Sequence, residues 1–274
     1  MYKKYNYLCQ TFWVLFLLTC AYQIRAESTY QIAEIDWCPQ ICSNNNTQSG
    51  YVSEIIELIT AEVPGNFKRM DFPWSHAIKL VHEGRAFALS APAKKEAPEL
   101  FYPNIPVGIQ KMCFFVRKDS QWFYKGPLSL TNLQIGVAKD ASLEELNGYM
   151  HEHPEQFQLQ PYHGRFLKQN INKLIKRRYD AFVFSINSTL LELKRLNLLG
   201  KIKSAGCISE APVYVACSSA VNYLQTAKYI SKKFDIEMLK LAESGQLDTI
   251  LNKYNAGFTA AELIDYGNMK VEIH

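Results

Sequence analysis

The sequence predicts an α/β protein built as two lobes around a cleft. Three observations predict it: strand-like segments take turns with segments of helical periodicity, this alternation occurs twice, and two extended apolar stretches join the two runs. In the first run "YQIAEIDW" reads as a strand, followed by the polar loop "SNNNTQSG". Next, "GYVSEIIELITAEV" carries Val52, Ile55, Ile56, Ile59 and Val63 at helical spacing. A short strand "FKRMDF", a helix "SHAIKLVHEG" with Ala77, Leu80 and Val81 inward, and a strand "AFALSA" complete a βαβαβ unit.

From Val107 to Arg117 the chain runs extended and apolar as "VGIQKMCFFVR", leaving one lobe for the other. There "LQIGVA" is a strand, and "SLEELNGYMHEH" a helix opened by a Ser142 cap with Glu145 three residues on. The strand "FQLQPY", the helix "RFLKQNINKLIKRR", the strand "YDAFVFSI" and the helix "STLLELKRLNL" follow. "APVYVACS" reads as the return strand, and two helices separated by Gly245 close the chain. The predicted division is a signal peptide over residues 1–26, a first lobe over 27–116 and 213–274, and a second lobe over 117–212. A ligand site is predicted in the cleft, where strand ends meet the lobe junction.

At the amino terminus Lys3 and Lys4 precede "FWVLFLL" and a more polar stretch ending "IRA", the layout of a secretory signal cut after Ala26. A lipoprotein signal with Cys20 as the lipidated residue is the alternative, against which Thr19 argues. The apolar run is shorter than the ~20 residues a membrane span needs. Removing Lys3, Lys4 and Arg25 from 30 basic residues leaves 27 against 26 acidic ones. That balance offers no concentrated basic face, so neither nucleic acid nor an anionic membrane is predicted as a partner. The predicted compartment is the periplasm.

Five cysteines remain after the signal. In an oxidising compartment "WCPQIC" reads as a local disulfide between Cys38 and Cys42. Cys207 and Cys217 bridge only if the chain turns back between them, and Cys113 is then an odd, buried thiol. No phosphate-binding glycine loop and no G-x-S-x-G elbow occurs. His151 and His153 in "MHEHPEQF" fall on different faces of a helix end, so that run reads as a helix terminus rather than a metal site. No cofactor and no metal is predicted.

Taken in order, "GYVSEIIELI", "DFPWSHAIKLVHEGRAFAL", "KKEAPELFYP", "LQIGVAKDAS", "RRYDAFVFS" and "LAESGQLDTILNKY" resemble the family 3 extracellular solute-binding proteins, the periplasmic receptors of polar amino-acid uptake in bacteria. The resemblance spans the chain after the signal. It implies a two-lobed type II periplasmic binding protein fold, a monomer that closes on a small-molecule solute and presents it to an inner-membrane permease of an ABC transporter, or to a sensor. It also implies an arginine before the "F-S/Y-x-P" segment, holding the ligand α-carboxylate. Counting back from Phe101, that place is Lys95, which lacks the guanidinium fork. The aspartate implied after "D-A-V-V", which pairs with the ligand ammonium, is replaced by Ser185. His76 stands where relatives with "P-W-x-R-A" carry arginine.

The candidate ligand-binding residues are therefore Trp37, Trp74, Ser90, Lys95, Tyr102, Ser142 and Ser185. Lys95 would offer a positive pole, the lobe-two serines hydrogen bonds, and the tryptophans either stacking surface or lobe core. Lys94 and Lys95 also read as a solvated loop pair. The predicted ligand is small and polar, anionic or aromatic, and no catalysis is predicted. Two other functions stay open: an interaction or sensory protein that kept the fold, and a cyclohexadienyl dehydratase-like lyase with Glu210 or Asp180 as its acid.

Overall fold

The computed structural model describes residues 28–42 and 48–268; the predicted signal segment 1–26, with Cys20, lies outside them. The first unit runs β1 (Thr29–Glu34), α1 (Tyr51–Ala61), β2 (Asn66–Asp71), α2 (Trp74–His82) and β3 (Ala88–Ala93), followed by the long strand β4 (Gly108–Arg117). The second runs β5 (Ile135–Ala138), α3 (Asn147–Glu152), β6 (Phe157–Gln160), α4 (Phe166–Ile175), β7 (Ala181–Ser185) and α5 (Ile186–Arg195). After it come β8 (Ile202–Cys217), α6 (Leu224–Glu243), α7 (Gln246–Lys253) and α8 (Ala260–Asn268).

Within each unit the strands pair in parallel, β2-β1-β3 and β7-β5-β6, because helices carry the chain back between them. The helices bury the predicted stripes, Val52, Ile55, Ile56 and Ile59 on α1, and Ala77, Leu80 and Val81 on α2. The two crossings are the long strands β4 and β8, which pair antiparallel with each other. β8 also pairs with β3 and β4 with β7, so both lobes join one sheet of order β2-β1-β3-β8-β4-β7-β5-β6.

β8 is 16 residues long, far more than the "APVYVACS" that reads as a strand in sequence. Its pairing gives the reason. From Lys111↔Glu210 to Cys113↔Cys207, and again to Phe115↔Ser204, β4 advances two residues while β8 advances three. Each step inserts one extra residue into β8, a bulge. Its buried residues Ile202, Ala205, Ile208 and Ala211 consequently recur every third position, a period that matches no regular strand. Gly206 lies within the second bulge at φ 106°, where a Cβ would also lie only 3.0 Å from Cβ of Tyr124.

The Cys38–Cys42 disulfide is present. The remaining pairing differs from the sequence reading: Cys113 bonds Cys207 across β4 and β8, and Cys217 is the buried free thiol. Cys207 and Cys217 lie on one continuous strand, ten residues apart and so roughly 33 Å distant, far outside bridging range. The predicted helix from Ser142 begins instead as a 3₁₀ turn, Glu144–Leu146, before α3. Glu145 is drawn off to accept the backbone N–H of Ser209 on β8 at 2.9 Å, so no capping box forms. The break at Gly245 is observed, with φ 73°, and α8 adds a helix that the sequence reading does not contain.

The Cys113–Cys207 bond closes a loop across 94 positions of sequence. Replacing both cysteines by serine should lower unfolding free energy by roughly 2–4 kcal/mol. Urea denaturation of the oxidised wild type and the double variant checks this; equal midpoints would contradict it.

Candidate ligand cleft between the lobes

The cleft lies where the carboxyl ends of β1, β3, β6 and β7 face each other, and side chains of both lobes meet across it. The Trp37 indole N–H donates to Oγ of Ser185 at 2.9 Å in a buried contact. The backbone N–H of Ser142 donates to Glu96 Oε1 at 3.0 Å, and Lys95 Nζ pairs with Glu144 Oε2 at 2.9 Å. The backbone N–H of Trp74 donates to the Tyr162 carbonyl at 3.1 Å, the Ser75 hydroxyl to Asp140, and the Ser188 hydroxyl to Gln40 at 3.1 Å. The lobes are thus closed on each other.

A partly open inner cavity of about 20 Å³ lies at this junction, walled by Trp37, Trp74, Glu96, Gln110, Tyr162 and Phe184. A space of that size holds roughly one water-sized group. Trp37, Tyr162 and Phe184 separate it from an outer cavity of about 70 Å³ that reaches Asp36, His163, Lys168 and Arg195. The Tyr162 ring packs against Trp74 at 6.4 Å and Phe184 at 5.2 Å, giving an aromatic wall contributed by both lobes.

The polar groups of the inner wall are incompletely used. The indole N–H of Trp74, the amide nitrogen of Gln110 and the hydroxyl of Tyr162 are buried with no hydrogen-bond partner, as is Ser90 Oγ on β3 nearby. A buried donor left unpaired costs about 1–3 kcal/mol, so the three on the cavity wall leave it able to bond a further group. Ala91, which also lines the cavity, is held at φ 58°, a left-handed conformation costly for a residue with a Cβ.

Among the described residues, Glu96 is the one charged side chain of that wall. Part of the residue reaches the surface, but its carboxyl lies deep enough that burial pushes its pKa to about 7. The N–H groups of Ser142 and Ala93 oppose that shift, while Glu144 adds to it. The Trp74 indole helps hold the carboxyl down yet stays outside hydrogen-bond geometry. Burial, with Glu96 and Asp36 nearby, also keeps the Tyr162 phenol a neutral hydroxyl, its pKa well above 10.

Trp37 and Trp74 line the inner cavity, and Ser142 and Ser185 sit at its lobe-two edge, the first through its backbone N–H and the second on Trp37. Lys95 projects outward to Glu144 with its side chain more than half exposed, and it does not line the cavity. Tyr102 lies in the lobe-one loop, its hydroxyl bonded to the Ala97 carbonyl and its ring 5.3 Å from Lys94 Nζ. His76 stacks on Phe72, exposed and outside that wall. Glu96, Gln110 and Tyr162 are wall residues that sequence reasoning missed. Glu96 directly follows Lys95, and Tyr162 stands two residues past β6, so strand-exit position was a usable signal for the latter. A third hollow of about 180 Å³ lies beside the crossing strands, but its polar groups are paired: Lys111 with Glu210, Asn187 with the Ala256 carbonyl, Glu262 with Thr259.

No protein-family model matches the chain, and no curated protein does. Solved structures match over most of its length. A histidine kinase sensor domain with similarity to periplasmic binding proteins superposes with a TM-score of 0.70 at 17% identity, over 83% of this chain and 96% of that one. EhuB in complex with hydroxyectoine gives 0.70 at 17%, over 87% and 91%. A structure from work on glutathione import via GshT and the cystine ABC importer TcyBC of Streptococcus mutans gives 0.67 at 19%, over 85% and 96%. The chain therefore has the two-lobed periplasmic binding protein fold, with its cleft between the lobes.

Two expectations follow from the site. Trp37→Phe removes the donor to Ser185 and should weaken the closed state by about 1 kcal/mol. Small-angle scattering should then give a larger radius of gyration than wild type; an unchanged value would show that this bond does not hold the lobes. Burial also raises Glu34 to about 7, against its Arg69 partner. An acid whose folded pKa exceeds its unfolded value near 4.5 binds more protons when folded. Stability from Glu34 and Glu96 is thus full below about pH 4.5 and lost as pH rises through about 7. Urea midpoints should fall between pH 5 and 7.5, and Glu96→Gln should flatten that fall; a rise over this window would contradict the assignment.

Proposed function

We propose that the chain is a periplasmic receptor that captures a small polar solute by lobe closure, in the service of a transporter or a sensor. The observation that carries this reading is the inner cavity, lined from both lobes and carrying unsatisfied polar groups on Trp74, Gln110 and Tyr162. A solute that bonds groups of both lobes favours the closed state by its differential affinity, which is all that closure requires. On this reading residues 1–26 direct export, residues 27–116 and 213–274 form one lobe, and 117–212 the other. Among the described residues no helix is long and apolar enough to cross a membrane.

Binding is favoured over lyase chemistry because the two acids considered for catalysis are engaged elsewhere. Glu210 pairs with Lys111 at 2.7 Å, and Asp180 accepts the Gln134 N–H at 2.9 Å. A second reading, an interaction or sensory protein without solute capture, is supported by one observation: Trp37, Ser142 and Glu96 already bridge the cleft through the chain's own bonds.

A thermal-shift screen of residues 27–274, stripped of bound solute, against amino acids, amines, polyols and small carboxylates separates the two. A ligand at about 100 times its Kd adds roughly 2.7 kcal/mol and raises Tm visibly. A flat screen would favour the interaction reading.

A further inference from the structure

We infer that the solute is an organic cation whose ammonium group enters the inner cavity against Glu96, between Trp37, Trp74 and Tyr162. This deepens the receptor reading and rests on it. The first ground is charge. Among the described residues that wall the inner cavity, Glu96 alone is charged and none is cationic; Lys95 is turned outward to Glu144, and Lys94 lies over the Tyr102 and Tyr214 rings. An anion entering this space would meet a like charge with no compensating cation, whereas a buried charge is tolerated where an opposite one pairs with it.

The second ground is the shape of the carboxyl's remaining capacity. Glu96 Oε2 accepts the Ala93 N–H at 2.8 Å and Oε1 the Ser142 N–H at 3.0 Å. A carboxylate offers about four lone-pair sites, so each oxygen still accepts a further donor from the cavity side. A protonated amine supplies such donors.

The third ground is the aromatic enclosure. Faces and edges of Trp37, Trp74, Tyr162 and Phe184 surround the space, the environment in which a cation gains from ring quadrupoles once water is removed. The free N–H groups of Trp74 and Gln110 cannot bond an ammonium. Since the Trp74 indole already leans on the Glu96 carboxyl, it is the Gln110 amide that assigns an oxygen acceptor to the same solute, a hydroxyl or carbonyl. The inner space of about 20 Å³ fits an ammonium head alone, so the body of the solute must pass Trp37 toward the outer cavity, breaking the bond to Ser185. The ammonium then replaces nothing at Glu96, and Trp37 becomes the residue that moves.

The test is a matched series read by calorimetry on residues 27–274: 4-amino-1-butanol, 1,4-butanediol and 4-hydroxybutyrate, similar in size and hydroxyl but positive, neutral and negative. The amine should bind at least roughly tenfold tighter than the diol, with the hydroxybutyrate weakest. Glu96→Gln should abolish the preference for the amine. Because Glu96 also bridges the lobes, the comparison on the unmodified protein is decisive and does not depend on that variant folding. If the diol or the hydroxybutyrate binds as well as the amine, the cation assignment is overturned while the receptor reading stands. If none of the three binds but the wider screen yields a ligand, a cationic ligand supports the assignment and an anionic or neutral one overturns it. If nothing binds in either experiment, both readings fall.

Discussion

The antiparallel pairing of β4 with β8 is the constraint on which the rest of the molecule depends. Each three-stranded parallel unit ends on one of these strands, so their ladder is what turns two small sheets into one. β4 also floors the cavity, with Gln110 before the first register shift and Met112 within it. Hinge and cavity wall are therefore not separate parts. Any rotation of one lobe against the other passes through residues that line the cavity, and the Cys113–Cys207 bond fixes the strand register immediately beyond it.

Three consecutive residues show how finely the loop after β3 distributes charge. Lys94 lies over two tyrosine rings, Lys95 reaches across to Glu144, and Glu96 turns inward between backbone N–H groups of both lobes. The two lysines gain mainly at the surface, where ion pairs contribute little. The glutamate carries the desolvation cost and hence the chemistry. A site chosen by counting charges in this loop would give a cationic cleft, whereas the backbone path makes it acidic.

Periodicity made most of the fold legible, because α1, α2, α4 and the buried parallel strands follow regular spacings from Val52 to Leu174. The first half of β8 was not legible, since two bulges turn its period of two into three. The disulfide partners were hidden for the same reason: Cys113 meets Cys207 only through a register that those bulges set. At the site, Trp37, Trp74 and Ser185 could be named from their places at strand and helix ends. Tyr162 stood at a comparable strand exit, two residues past β6, whereas Gln110 lies inside β4 and carries no such positional signal. Glu96 was passed over because the family likeness directs attention to a cation at the adjoining position.

The five-residue turn that presents Trp37 has a further consequence. Cys38 and Cys42 are covalently joined, and Trp37 and Ile41 exchange backbone hydrogen bonds at 2.7 and 3.1 Å. The indole is thus mounted on a ring that has surrendered its conformational entropy during folding rather than during ligand capture. Closure then has little backbone freedom left to remove at this point. Movement of Trp37 is therefore left to its side-chain torsions, on a backbone that stays fixed.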